Sequence, residues 1–83
     1  MRVYVVLSSA PMGSELIAVC STAERALKEV IKDLEKGIAL EEIERDMEKM
    51  GIDKFLSIYE YSIFECEVDG KGRRYVLFEE CEN

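Results

Sequence analysis

Residues 21–37, STAERALKEVIKDLEKG, place Ala23, Ala26, Leu27, Val30, Ile31 and Leu34 at three- and four-residue intervals. Wound as an α-helix, these positions form one apolar stripe with charged residues around the rest of the cylinder. A helix of this length is marginal by itself in water, and most of its stability comes from docking that stripe. The chain must therefore supply an apolar slab for it to lie on. Ser21 and Glu24 have the S-x-x-E spacing of a capping box, and Gly37 is expected at the C′ position. A second helix is predicted over 39–50, with Leu40, Ile43, Met47 and Met50 as a narrower stripe, Glu41 and Glu42 at its positive end, and Gly51 as its stop. A link of only about three residues predicts that the two helices lie antiparallel and cover the same face of the slab.

The slab is read as a sheet. Met1–Leu7 is predicted as the first strand, SSAPMGS as a loop punctuated by Pro11 and Gly13, and Glu15–Cys20 as the second strand. The third strand is expected over 55–68, VDGKGR is a hairpin turn, and RRYVLFEEC is the fourth strand. The unbroken apolar run VYVVL places the first strand inside the sheet. The order ββααββ, with no repeat or linker, predicts one domain over 1–83. Its class is α+β: a two-layer sandwich with a four-stranded, mainly antiparallel sheet and two helices on one face.

The strands raise a question of sides. In IYEYSIFECEV, residues 58–68, Tyr59, Tyr61 and Ile63 share one side, and then Phe64, Cys66 and Val68 take the other. Because successive side chains point to opposite faces, either a bulge at Ile63–Phe64 resets the phase or the sheet is apolar on both faces. The other strands favour the second reading. Val3, Val5 and Leu7 oppose Tyr4 and Val6; Leu16, Ala18 and Cys20 oppose Ile17 and Val19; Tyr75 and Leu77 oppose Val76 and Phe78. Two helices cover one face, so a second apolar surface is left over. The expected surface is Tyr4, Val6, Tyr59, Tyr61, Ile63 and Phe78, chosen because tyrosines are amphipathic and enriched at interfaces. Burying roughly 400 Å² there would contribute on the order of 10 kcal/mol before association costs.

Charge narrows the partners. With 18 acidic and 11 basic residues the net charge is −7, which opposes binding to nucleic acid or to anionic lipid. The longest apolar runs are far too short to cross a bilayer, and the N-terminal run is too short for a signal peptide, so a cytoplasmic location is expected. The absence of His, Gln and Trp, with Asn83 the only Asn, leans toward a thermophile, while three Cys and four Met lean the other way.

Candidate chemistry is sparse. Without His or a C-x-x-C pair, no zinc site is expected, and no cofactor either. Cys66 and Cys81 share the C-terminal hairpin, but a tight turn at Gly70 sets them several positions apart, too far to bridge. Cys20 precedes the first helix, where the dipole could lower a thiol pKa, but no base accompanies it, and a small residue ending a strand is the simpler explanation. The run EEIERDME presents Glu41, Glu44 and Glu48 as a solvated acidic face rather than an oxygen cage. GKGRR lacks the spacing of a phosphate loop, and Arg73 and Arg74 are expected to pair with Glu65 or Glu67 across the hairpin.

The stretches VYVV, ELIAVCSTAERA and YSIFECEVDG resemble a loose group of small prokaryotic and phage proteins with no established activity. Those proteins share a first strand with Tyr and Val, an acidic residue before I-x-V-[small or aromatic]-S-x-x-x-A entering a helix, and a later strand ending in V-D-G. The likeness covers residues 3–32 and 59–70, and the helix at 39–50 departs from it. The resemblance implies the architecture and a mobile-element origin.

These readings converge on a non-enzymatic, homodimeric protein-binding or regulatory protein that uses the uncovered sheet face, its partner being itself or another protein. The alternative is an acidic, virus- or plasmid-encoded inhibitor whose second-helix face, Glu41, Glu44 and Glu48, occupies a basic groove of a nucleic-acid enzyme.

Overall fold

Strands β1 (Arg2–Ala10) and β2 (Gly13–Cys20) form an antiparallel hairpin, and β1 pairs on its other side with β3 (Tyr61–Glu67), which pairs in turn with the short β4 (Arg73–Tyr75). The sheet order is therefore β2-β1-β3-β4, antiparallel throughout, with the apolar β1 inside it as its sequence requires. Helices α1 (Ala23–Leu34), α2 (Leu40–Met50) and α3 (Ile52–Ile58) lie between β2 and β3 in the chain. The structure is a computed structural model that describes residues 1–10, 13–70 and 72–78. It is an α+β fold of two layers, with a four-stranded sheet below and helices above.

The helical layer contains one helix more than the sequence pattern suggests. Ile52, Phe55, Leu56 and Tyr59 recur at helical intervals, and the segment read as the beginning of the third strand is helix up to Ile58. Gly51, at φ 88 and ψ 155, ends α2 and starts α3, a backbone conformation essentially closed to residues with a Cβ. Strand β3 begins only at Tyr61, after Glu60 turns the chain at φ 64 and its carbonyl accepts the Ser9 N–H at 2.8 Å. Helices α1 and α3 rest on the sheet, while α2 packs on both of them.

Smaller corrections concern the caps and β4. Thr22, not Ser21, is the N-cap of α1: its hydroxyl oxygen accepts the Arg25 N–H at 3.1 Å. Gly37 is not in the left-handed region, and its N–H instead bonds to the Leu34 carbonyl at 3.0 Å. Strand β4 ends at Tyr75, although the Val76 N–H still reaches the Ile63 carbonyl at 2.9 Å. Pro11 and Met12 of the predicted loop, Lys71, and Glu79–Cys81 of the predicted fourth strand lie outside the described residues.

The core lies between the layers. Val6, Ala26, Val30, Ile43, Phe55 and Ile63 are sealed there, with Leu56 and Tyr61 beside them. Each large aliphatic or aromatic side chain buried in this way contributes roughly 1.5–3 kcal/mol relative to exposure.

Candidate functional site

The register of β1 against β3 runs without a break from Arg2↔Glu67 to Ser8↔Tyr61, so no bulge separates Ile63 from Phe64. The phase change in this strand reflects a sheet that is apolar on both faces, one of them under the helices. Tyr61 and Ile63 point into the core, whereas Phe64, also nearly buried, lies outside that cluster on the opposite face. A register shift does occur, but in β2. Val6 pairs with Ala18 and Leu7 with Leu16, leaving Ile17 unmatched, so that Ile17 and Ala18 both pack toward α1.

The sequence selected the wrong side for the uncovered surface. Val6, Tyr61 and Ile63 belong to the core, and Tyr4, Tyr59 and Phe78 pack against it. The helices dock on this side because Ala26, Val30 and Phe55 meet it, and each tyrosine meets a carboxylate at its polar tip. Tyr61 donates to Asp33 on α1, Tyr59 to Asp46 on α2 at 2.8 Å, and Tyr4 to Glu65 on β3 at 3.2 Å. The Tyr61 bond holds the Asp33 carboxyl below its ordinary pKa. Burial, followed by that same bond, pushes the Tyr61 phenol well above its own. The tyrosines are clips within the fold.

The helix-free face carries the opposite parity. Val3, Val5 and Leu7 of β1 form its centre with Phe64 and Cys66 of β3. Leu16 and Val19 stand along β2, 59% and 58% exposed, and Tyr75 and Leu77 along the other flank, 64% and 63% exposed. Phe64 is only 7% exposed because Tyr75 lies over it with ring centroids 4.5 Å apart and the Arg73 guanidinium sits 4.5 Å from its ring. The three strand carboxylates, Glu15, Glu65 and Glu67, pair with Ser8, Tyr4 and Arg2, all of which share the parity of Val6. A chain of net charge −7 thus keeps its strand carboxylates off this face, where the one charged strand residue is Arg73.

At the end of the helix-side face that the helices do not reach, ion pairs take over. Arg74 bonds Glu65 at 2.7 Å, and Arg2 bridges Glu65 at 3.1 Å and Glu67 at 3.3 Å. The Arg74 bond, with support from Tyr4 and Arg2, holds the Glu65 carboxyl below its ordinary pKa. Arg74 therefore pairs as the hairpin predicts, whereas Arg73 turns to the other face.

The remaining candidates do not assemble into a reactive site. Cys20 is half-buried, and burial followed by nearby Glu29 raises its thiol pKa, the opposite of activation. Glu41, Glu44 and Glu48 are exposed on α2, and among the described residues no group of three metal-ligating side chains converges. Cys81, which the sequence sets too far from Cys66 to bridge, lies outside the described residues. Among those residues no helix is long and apolar enough to cross a membrane. Comparison with protein-family models, with curated proteins and with solved structures gave no match to the chain.

Proposed function

We propose that this chain is a small, non-enzymatic protein-binding protein of regulatory type whose working surface is the helix-free face of its sheet. One observation carries the reading: the strands present Leu16, Val19 and Tyr75 to solvent, and the segment after β4 presents Leu77, on a face without strand carboxylates. Contiguous apolar surface of this kind in a soluble domain marks an interaction site. Water opposes leaving it bare, and the opposite face shows the same sheet closing its own loose end with ion pairs. An apolar dye such as anilinonaphthalene sulfonate tests the reading on dilute protein. Binding is expected in the native chain and is lost in Val19→Glu together with Leu77→Glu, with unchanged circular dichroism. A native chain that ignores the dye when dilute would refute it.

A further inference from the structure

We infer that the occupant of the helix-free face is a second copy of this chain, packed sheet to sheet to give four layers, helices outermost. The inference rests on the reading of that face as a protein-docking surface. Three observations select a copy over an unrelated protein.

The first is charge. Two chains of net charge −7 repel one another over most of any approach, and the helical layer presents Glu24, Glu41, Glu44 and Glu48 to solvent. The helix-free face alone among the sheet surfaces lacks strand carboxylates, so it is where two identical acidic molecules can meet without opposing their strand carboxylates.

The second is extent. Strands of nine, eight, seven and three residues, about 4.8 Å apart, give a footprint of roughly 430 Å², and projecting side chains enlarge the accessible area beyond it. That footprint is about 7% of the chain's 5994 Å² surface, so two copies would together bury roughly 900 Å² or more, near the ~1,000 Å² that a specific interface needs.

The third is the pattern of exposure. Leu16 and Val19 on one flank and Tyr75 and Leu77 on the other are well exposed, while Val3, Val5 and Leu7 between them are half-buried. A two-fold axis parallel to the interface can lay a flank of each copy along the centre of the other, an isologous fit that closes on itself. Sheets stacked in this way sit about 10 Å apart with their strands roughly aligned. Arg73, on the edge strand β4, holds its guanidinium over the Phe64 ring of its own chain.

The test is the mass of the full chain by light scattering and sedimentation across concentration, with the dye measurement run alongside. The native chain should be a dimer that tightens as sodium chloride rises, because salt screens the mutual repulsion. Val19→Glu and Leu77→Glu should each weaken it by about 100-fold or more, since each places a carboxylate in the seam. Ile58→Glu, at an α3 position 54% exposed, should leave it intact. A monomer at high concentration that still binds the dye through Val19 and Leu77 would overturn self-pairing and leave the docking surface standing. A monomer indifferent to the dye would overturn both. A dimer that ignores Val19→Glu and Leu77→Glu would place the seam elsewhere and overturn the inference.

Discussion

The two faces of this sheet solve the same problem in opposite ways. Where the helices stop short of the strand ends, the covered face finishes itself with Arg2, Glu65, Glu67 and Arg74, an ionic row that needs no other molecule. The other face has no such ending. Among the described residues its centre is shielded by Tyr75 and Arg73 lying over Phe64, and toward the β1–β2 hairpin it carries Ser9, Ser14 and Ser62 rather than ion pairs. The difference teaches that ion pairing was available to this sequence as a way of making strand surface water-compatible. It was used on one side only.

Substitutions of like chemistry on the two sides should therefore behave differently. The largest effect is expected from Ile63→Ala, which opens a cavity beneath the helices and should cost about 2–5 kcal/mol in urea unfolding. A loss below about 1 kcal/mol would mean that the helical layer collapses onto the gap, and the covered face would be softer than its burial suggests. Gly51→Ala should follow at about 1–3 kcal/mol, because its φ of 88 strains any residue with a Cβ and the α2–α3 joint holds Phe55 over the sheet.

Tyr61→Phe should remove about 1–2 kcal/mol by taking the phenol bond from Asp33, which keeps Lys36 at 3.1 Å, and it carries a pH signature. The Asp33 carboxyl is held below its ordinary 3.8, so the unfolded chain takes up the proton first on acidification. Stability present at neutral pH should then fall as the pH drops through and below that value. The Tyr61 phenol lies above its ordinary 10.0, so the unfolded chain ionises first in alkali, and stability should also fall above pH 10. Thermal melts across pH should show both losses reduced in Tyr61→Phe. An unchanged profile would detach the clip from the stability of the covered face.

The smallest effect is expected from Val19→Ala. In dilute protein, where association is absent, it should alter unfolding free energy by less than about 0.5 kcal/mol, in contrast to Val6→Ala at roughly 2 kcal/mol for the same two methyl groups on the sealed side. Equal costs at the two valines would erase the distinction between the faces.

Much of this fold could be read from the chain. The stripe Ala26, Leu27, Val30, Ile31 and Leu34 specifies α1 because one long period admits one reading, and the run Val3–Leu7 specifies an interior strand. Helix α3 was hidden for a physical reason. With seven residues it offers only Ile52, Phe55 and Leu56 as periodic positions, with Tyr59 at its C-cap, and alternation in the adjoining Tyr59–Ile63 segment masks them. Two apolar faces were legible from four strands of opposed parity, but which face the helices take was not. That choice depends on how Ala26, Val30 and Phe55 seat against Val6 and Ile63, a fact of three-dimensional packing. The preference for tyrosine as an interface residue then pointed to the wrong side, because local pattern does not reveal that Asp33, Asp46 and Glu65 wait for the three hydroxyls.

The unmatched Ile17 in β2 acts as a reading-frame correction within a strand. Downstream of it, Ala18 and Val19 keep the alternation set by their partners in β1; upstream, Glu15 and Leu16 have been moved across by one place. Pair Ile17 with Leu7 instead, with no residue left over, and the frame is lost: Leu16 would fall opposite Ser8 and swing under α1, and Glu15 would fall opposite Ser9 and emerge on the helix-free face. One supernumerary isoleucine thus decides whether a negative charge is written into the surface where two copies would touch.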